Sequence, residues 1–260
     1  MKLEQFLYEA AQTVEGSLSK GIAAVKLDGV VVLFSARRVM EAFQRFAAKE
    51  HKGDSYYLIS KLSSKLANDA VVGHVSYSSF SDPTEVASSS GVNKFGPLAY
   101  QLVMYRIHPR WLRSDTSLTE GDGSGGSQNI WNKMYELSNQ GIYERRWLGS
   151  FYKNPSRFLK EAKMVNGSVE EMLSGYEPEK DPSEEGFLSY IEKQGYDPKF
   201  FGHFWAYRLR SPDPKIEELF AAGDKLRADI ASLKIYNLYP RDISDTLELA
   251  ANKFFERRYQ

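Results

Sequence analysis

The stretch GIAAVKLDGVVVLFSA, residues 21–36, constrains the fold more than any other part of the chain. Two β-branched apolar runs flank Asp28-Gly29, a pair that takes up the positive φ angles of a tight hairpin turn. A β-hairpin is therefore expected near the start, and the chain must supply a sheet for it to join. Tyrosine and phenylalanine dominate an aromatic content of 13%, which suits a sheet-containing core.

Helical spacing brackets the hairpin. Leu3, Phe6, Leu7, Ala10 and Val14 predict a short first helix, and Val39, Met40, Phe43 and Phe46 predict a second that Gly53 closes. SYYLISKL and AVVGHVSYSSF then read as two strands, and a short strand also fits TEVASSS after the turn at Asp82-Pro83. A helix from Pro97 to about His108, a strand in RWLRSD, a loop EGDGSGGSQN, a helix from about Gln128 to Asn139 and a strand in IYERRWLGSFY follow. Past Tyr152 the text turns to short helices and an acidic, proline-marked loop. Residues 203–210 read as a strand, and Pro214–Leu233 and Ser244–Arg258 as helices. The expected class is α+β, with a mixed central sheet flanked by helices. Residues 1–152 form the main domain, and 153–260 a mostly helical extension that packs on it and returns one strand.

Composition removes several chemistries. Lysine plus arginine equals aspartate plus glutamate, 34 each, so no bulk charge indicates a nucleic acid partner. The chain has no cysteine, hence no disulfide framework, no thiolate metal site and no cysteine nucleophile. His51, His74, His108 and His203 follow no metal-ligand spacing, so no metal site is expected. No Gly-x-Ser-x-Gly elbow and no phosphate-binding Gly-x-x-x-x-Gly-Lys loop occurs. Glu4 and Glu9 interrupt the N-terminal apolar pattern and no run is long enough to span a bilayer, so a soluble, cytoplasmic protein without a membrane partner is expected. EGDGSGGSQN is a candidate lid. ERRW (Glu144–Trp147) and FFERRYQ mix arginine with aromatics, which suits either base stacking or a solvated face.

Three segments together resemble the GCN5-related N-acetyltransferase fold over roughly residues 18–152. AVVGHVSY looks like its central strand. NKFGPLAYQLVMY stands where the family has an Arg/Gln-x-x-Gly-x-Gly/Ala loop and the helix behind it. SQNIWNKMYELSNQGIY looks like the next helix. The helix yGPllYdiam of tailed-phage proteins with a divergent form of this fold is also similar to the second segment, which implies a phage-encoded protein working in the host cytoplasm or the virion.

The resemblance implies an acyl-coenzyme A-dependent N-acyltransferase acting on a small-molecule or protein amine, with acetyl-coenzyme A or another acyl-coenzyme A as co-substrate. Asn93, Lys94, Phe95 and Gly96 would then hold the pyrophosphate, because free amides at a helix start suit an anion. Backbone N–H groups around Ala87, Ser88 and Ser89 would stabilise the tetrahedral intermediate. Tyr135 would protonate the leaving thiolate, and either Glu85 or His74 would take the amine's proton.

The residues also depart from the pattern. Asn93 replaces Arg or Gln, Pro97 has no N–H, and Leu98 stands where Gly or Ala is wanted. Proline is equally favoured at the first position of any helix. Tyr135 and Trp131, four residues apart, also fit one buried helix face, and His74 fits a core position. The alternative is a catalytically inactive scaffold of the same fold that acts by binding a protein partner, as a phage structural or host-interaction factor.

Overall fold

The computed structural model describes residues 13–48, 55–78, 81–92, 94–114, 126–152, 173–177, 180–181, 183–235 and 238–257. In chain order the described elements are α1 (Val14–Ser19), β1 (Ile22–Leu27), β2 (Val30–Ser35), α2 (Ala36–Ala47), α3 (Ser55–Asp69), β3 (Val71–Tyr77) and β4 (Thr84–Gly91). There follow α4 (Gly96–Ile107), β5 (Leu112–Arg113), α5 (Gly126–Asn139), β6 (Tyr143–Trp147), α6 (Glu184–Lys193), β7 (Trp205–Leu209), α7 (Ile216–Ser232) and α8 (Pro240–Glu256). Short 3-10 turns cover Leu148–Phe151 and Pro198–Phe204. The strand order is β1-β2-β3-β4-β5-β7-β6. β4 and β5 pair in parallel, whereas β1/β2, β2/β3, β5/β7 and β6/β7 are antiparallel. The class is thus α+β with a mixed sheet.

The chain divides into two units, each discontinuous in sequence. One comprises Met1–Ser76, Ser88–Tyr105 and Pro212–Gln260, and the other Tyr77–Ala87 and Arg106–Ser211. In the first, the hairpin forms as the sequence predicts, with Leu27 opposite Val30 and Gly29 at φ +63°. Ala23, Val25, Val32 and Phe34 join Val39 and Phe43 of α2 and Leu226 and Ile230 of α7 in one core. Ala24, Val31 and Leu33 point the other way and are buried as well. Burial on both faces explains why the hairpin reads as two unbroken apolar runs rather than as alternation.

One predicted element takes another form. SYYLISKL is not a strand: Ser55–Asp69 is a fifteen-residue helix. Tyr56, Tyr57 and Ile59 favour a strand locally, but Leu58, Leu62 and Leu66 repeat every four residues and bury together. Helix α8 packs along α3, placing Leu247, Ala250, Ala251 and Phe254 in the core that contains those leucines. Lys253 fixes the register: its Nζ donates to the Ser60 carbonyl at 2.9 Å and to Ser64 Oγ at 2.8 Å. TEVASSS lies within the eight-residue β4. Of the expected loop 120–129, residues 126–129 instead open α5; residues 120–125, the helical repeat before Thr13 and the segment 153–172 lie outside the described residues.

The second unit is built on aromatic rather than aliphatic contacts. Strands β6 and β7 pair from Tyr143–Leu209 to Trp147–Trp205. Helix α5 covers them, with Trp131 5.9 Å from Tyr207 and Tyr135 4.9 Å from Trp205, ring centre to ring centre. Trp147 and Phe187 lie 5.0 Å apart, and each is within 6.2 Å of both Phe204 and Trp205. These side chains contribute the largest apolar areas available to any residues.

In the first unit, α7 crosses β1 at Gly223. A Cβ there would meet the Ala24 carbonyl oxygen and the Val25 side chain. Gly223→Ala gains up to about 1 kcal/mol of helix propensity but forces the helix off the strand, at about 1–3 kcal/mol or more. A net loss of stability in urea unfolding is expected; a stabilised variant would contradict the close crossing.

Candidate functional site

The segment that decides the chemistry is the turn from β4 into α4. The Val92 amide donates to the Val72 carbonyl at 2.9 Å, which ties the turn to β3. The Phe95 amide donates back to the Val92 carbonyl at 3.0 Å, and the Ala99 amide donates to the Phe95 carbonyl at 3.1 Å as the helix begins. Lys94 makes the reversal at φ +67°, a left-handed conformation that costs a non-glycine residue some strain. Gly91 and Gly96 meet backbone to backbone. A Cβ on Gly91 would sit 2.6 Å from the Gly96 nitrogen and 2.9 Å from its Cα.

Side chains close the same turn. Phe95 and Leu98 are buried, and a Cβ on Gly73 would sit 3.4 Å from Phe95 Cβ. Tyr100 is buried, and its hydroxyl shares a 2.8 Å hydrogen bond with Ser89 Oγ. Ser88 Oγ is 2.6 Å from Ser76 Oγ. Ala87 is exposed on β4. Asn93 lies outside the described residues. The result is a helix start whose Phe95 donor is engaged by its own turn, whose Pro97 donor does not exist, and whose Gly96 nitrogen faces Gly91. An anion site of the pyrophosphate type uses free, converging amides at this place.

The three candidate catalytic groups are all held by packing or pairing. Tyr135 is buried on α5 between the Trp205 ring and Arg145, whose guanidinium lies 4.2 Å from the centre of the phenol ring. Burial raises its pKa above the usual phenol value, and Arg145 offsets part of the rise. Trp131 is buried on the same helix, so the i, i+4 pair faces the core. Glu85 of β4 forms a partly buried ion pair with Arg113 of β5, its neighbour in the parallel register. His74 of β3 is 1% exposed, and neither ring nitrogen has a hydrogen-bond partner. Its ring lies 5.8 Å from that of Phe255, and burial alone lowers its pKa to about 4. A base of that strength takes a proton from an ammonium group poorly at neutral pH.

His74, Ser88, Ser89, Lys94, Phe95 and Gly96 belong to the first unit, and Glu85, Ala87 and Tyr135 to the second. Glu85 and Tyr135 share no partner: Arg113 holds one, Arg145 and Trp205 the other. The sequence pattern gives no role to Gly91 or Arg113, and it offers Arg145 only within ERRW, for base stacking or a solvated face. For Arg145 a signal existed, since alternation in YERRW places it on the strand face shared with the buried Tyr143 and Trp147. Among the described residues no cluster of three His, Asp or Glu side chains is arranged to hold a metal ion, and no helix is long and apolar enough to cross a membrane.

No protein-family model, no curated protein and no solved structure matches this chain.

The state of His74 makes the first unit sensitive to acid. Its folded-state value, about 4, lies below the 6.5 of a free imidazole, so the unfolded chain takes up the proton first. Its contribution is fully present above about pH 6.5 and is lost as pH falls toward 4. At about 1.4 kcal/mol per tenfold change in proton affinity, the loss is about 3 kcal/mol. In His74→Leu the drop in protection of the β2 amides between pH 7 and pH 4.5, read by hydrogen exchange, is expected to shrink by about 2 kcal/mol, most of that loss. An unchanged drop would show that His74 is not buried uncharged.

Proposed function

We propose that this chain is an acyltransferase-like scaffold without acyl-transfer chemistry, and that it acts by binding a protein partner. The observation that carries this reading is the closed turn between Gly91 and Pro97, where the Phe95 donor is engaged by Val92, Pro97 has none and the Gly96 nitrogen packs against Gly91. The burial of Tyr135 and His74 and the pairing of the partly exposed Glu85 with Arg113 support it. Consecutive tyrosines on α3 supply a candidate contact surface: Tyr56 is 77% and Tyr57 55% exposed. Large aromatics of this kind are enriched where proteins meet.

A second reading keeps the enzyme: an acyl-coenzyme A-dependent N-acyltransferase transferring an acyl group to an amine. It is favoured by the connection β4–α4–β5, a helix joining two parallel strands with a glycine at its start. Helix starts that follow the end of a strand in such units are where anionic ligands commonly bind.

Titration calorimetry with acetyl-coenzyme A separates the two. No heat of binding is expected up to millimolar cofactor. Micromolar binding that disappears in Gly96→Trp would overturn the scaffold reading in favour of the enzyme. Tyr56→Ser combined with Tyr57→Ser is expected to leave the unfolding midpoint unchanged and to abolish capture of any protein partner that the unaltered chain retains. Retention of the same partner by that double variant would remove α3 as the contact surface.

A further inference from the structure

A histidine that no proposed chemistry uses sits at the centre of the second unit. His203 is 8% exposed, on the 3-10 turn Pro198–Phe204 that leads into β7. Neither of its ring nitrogens has a hydrogen-bond partner among the described residues. The ring lies 4.5 Å from that of Phe204, which stacks on Phe187 at 5.1 Å and on Trp147 at 6.2 Å. An imidazolium here would bury two N–H donors and a full charge against aromatic carbon.

Among the described residues the neighbouring charges do not offset that cost. On α6, Glu184 accepts a hydrogen bond from Trp205 Nε1 at 2.8 Å, while Glu185, Glu192 and Lys193 are exposed. On α5, Glu136 pairs with Lys133 at 2.8 Å, and Tyr135 lies under Arg145. On the turn's own side, Asp197 caps the Lys199 amide at 3.0 Å, and its carboxylate is 3.2 Å from Lys199 Nζ. The phenol of Tyr207 on β7 donates to the Gly202 carbonyl at 2.7 Å, and Arg208 pairs with Glu144. Burial alone lowers the pKa of His203, to about 4.

The turn is buried from Phe201 to Phe204 but is irregular within itself. Its i to i+3 bonding is weaker than that of an α-helix, and Phe201 interrupts it at φ −106°, ψ 21°. It is held to α5 by a backbone contact at Gly202, where a Cβ would collide with the Trp131 carbonyl. We propose that His203 is an acid-sensitive latch: protonation of its imidazole releases the Pro198–Phe204 turn from α5 and opens the aromatic core of the second unit. Any state that lets His203 reach water binds the proton more tightly, so acid shifts the population toward it.

The chain reports on the event by itself. Its tryptophans, Trp111, Trp131, Trp147 and Trp205, all belong to the second unit. Tryptophan emission of the full chain, titrated downward from pH 7.5, is expected to shift to the red reversibly with a midpoint between 6.5 and about 4. His203→Phe and His203→Gln, neither of which titrates, are expected to move that midpoint down by roughly a full pH unit or more. His74→Leu, in the first unit, is expected to leave it in place. An unchanged midpoint in a folded His203 variant, or emission that stays flat to pH 4 in the unaltered chain, would overturn the proposal. Should both variants fail to fold, imidazole NMR of the unaltered chain decides. Proton uptake by His203 coincident with the emission change supports the latch; titration of its resonance near 6.5 in the closed fold rules it out.

Discussion

The contact between Gly91 and Gly96 is the constraint around which the first unit's candidate site is arranged. Because neither residue has a Cβ, the end of β4 and the start of α4 touch through backbone, with 2.6 Å separating the Gly96 nitrogen from the place a Gly91 side chain would occupy. That closeness forces Lys94 into a left-handed conformation, turns the Phe95 amide onto Val92 and sets Phe95 and Leu98 into the core. At the helix start the Phe95 donor is thereby engaged and Pro97 supplies none. Local completeness and anion binding compete for the same few donors at a helix start, and here the turn holds that of Phe95.

The two units reach stability by different means. The first interleaves aliphatic side chains from a hairpin and from helices far apart in sequence, with Lys253 and Ser60 joined across 193 positions. The second relies on rings: Trp131, Tyr135, Trp147, Phe187, Phe204 and Trp205 form contacts whose edge and face orientations fix α5 and α6 against β6 and β7. Each unit also buries one histidine without a partner, which makes acid a shared weakness of two otherwise different cores.

Much of this was legible in the sequence, for physical reasons that differ from element to element. Asp28-Gly29 between β-branched runs specifies the hairpin because turn geometry and strand preference agree there. Pro97 after Gly96 marks a helix start for the same kind of reason. At Ser55–Asp69 the two levels conflict: paired tyrosines and Ile59 favour a strand, while the leucine repeat favours the helix that α8 stabilises. Only the tertiary partner, some 190 residues away, resolves it. The candidate site followed the same rule. The positions of Tyr135 and His74 on a helix and a strand were readable from spacing. The guanidinium over Tyr135, the Glu85–Arg113 pair and the missing partners of His74 arise from strand register and burial, which no local pattern encodes.

The central claim is that the start of α4 is a structural turn rather than a phosphate cradle. Amide chemical-shift mapping with coenzyme A tests it most directly, because it reads Gly91, Phe95, Gly96 and Leu98 one by one. The account predicts that these four amides keep their positions as the ligand rises to millimolar concentration. Saturable shifts concentrated on Gly96 and Leu98 would contradict it and would return the turn to the role of an anion site.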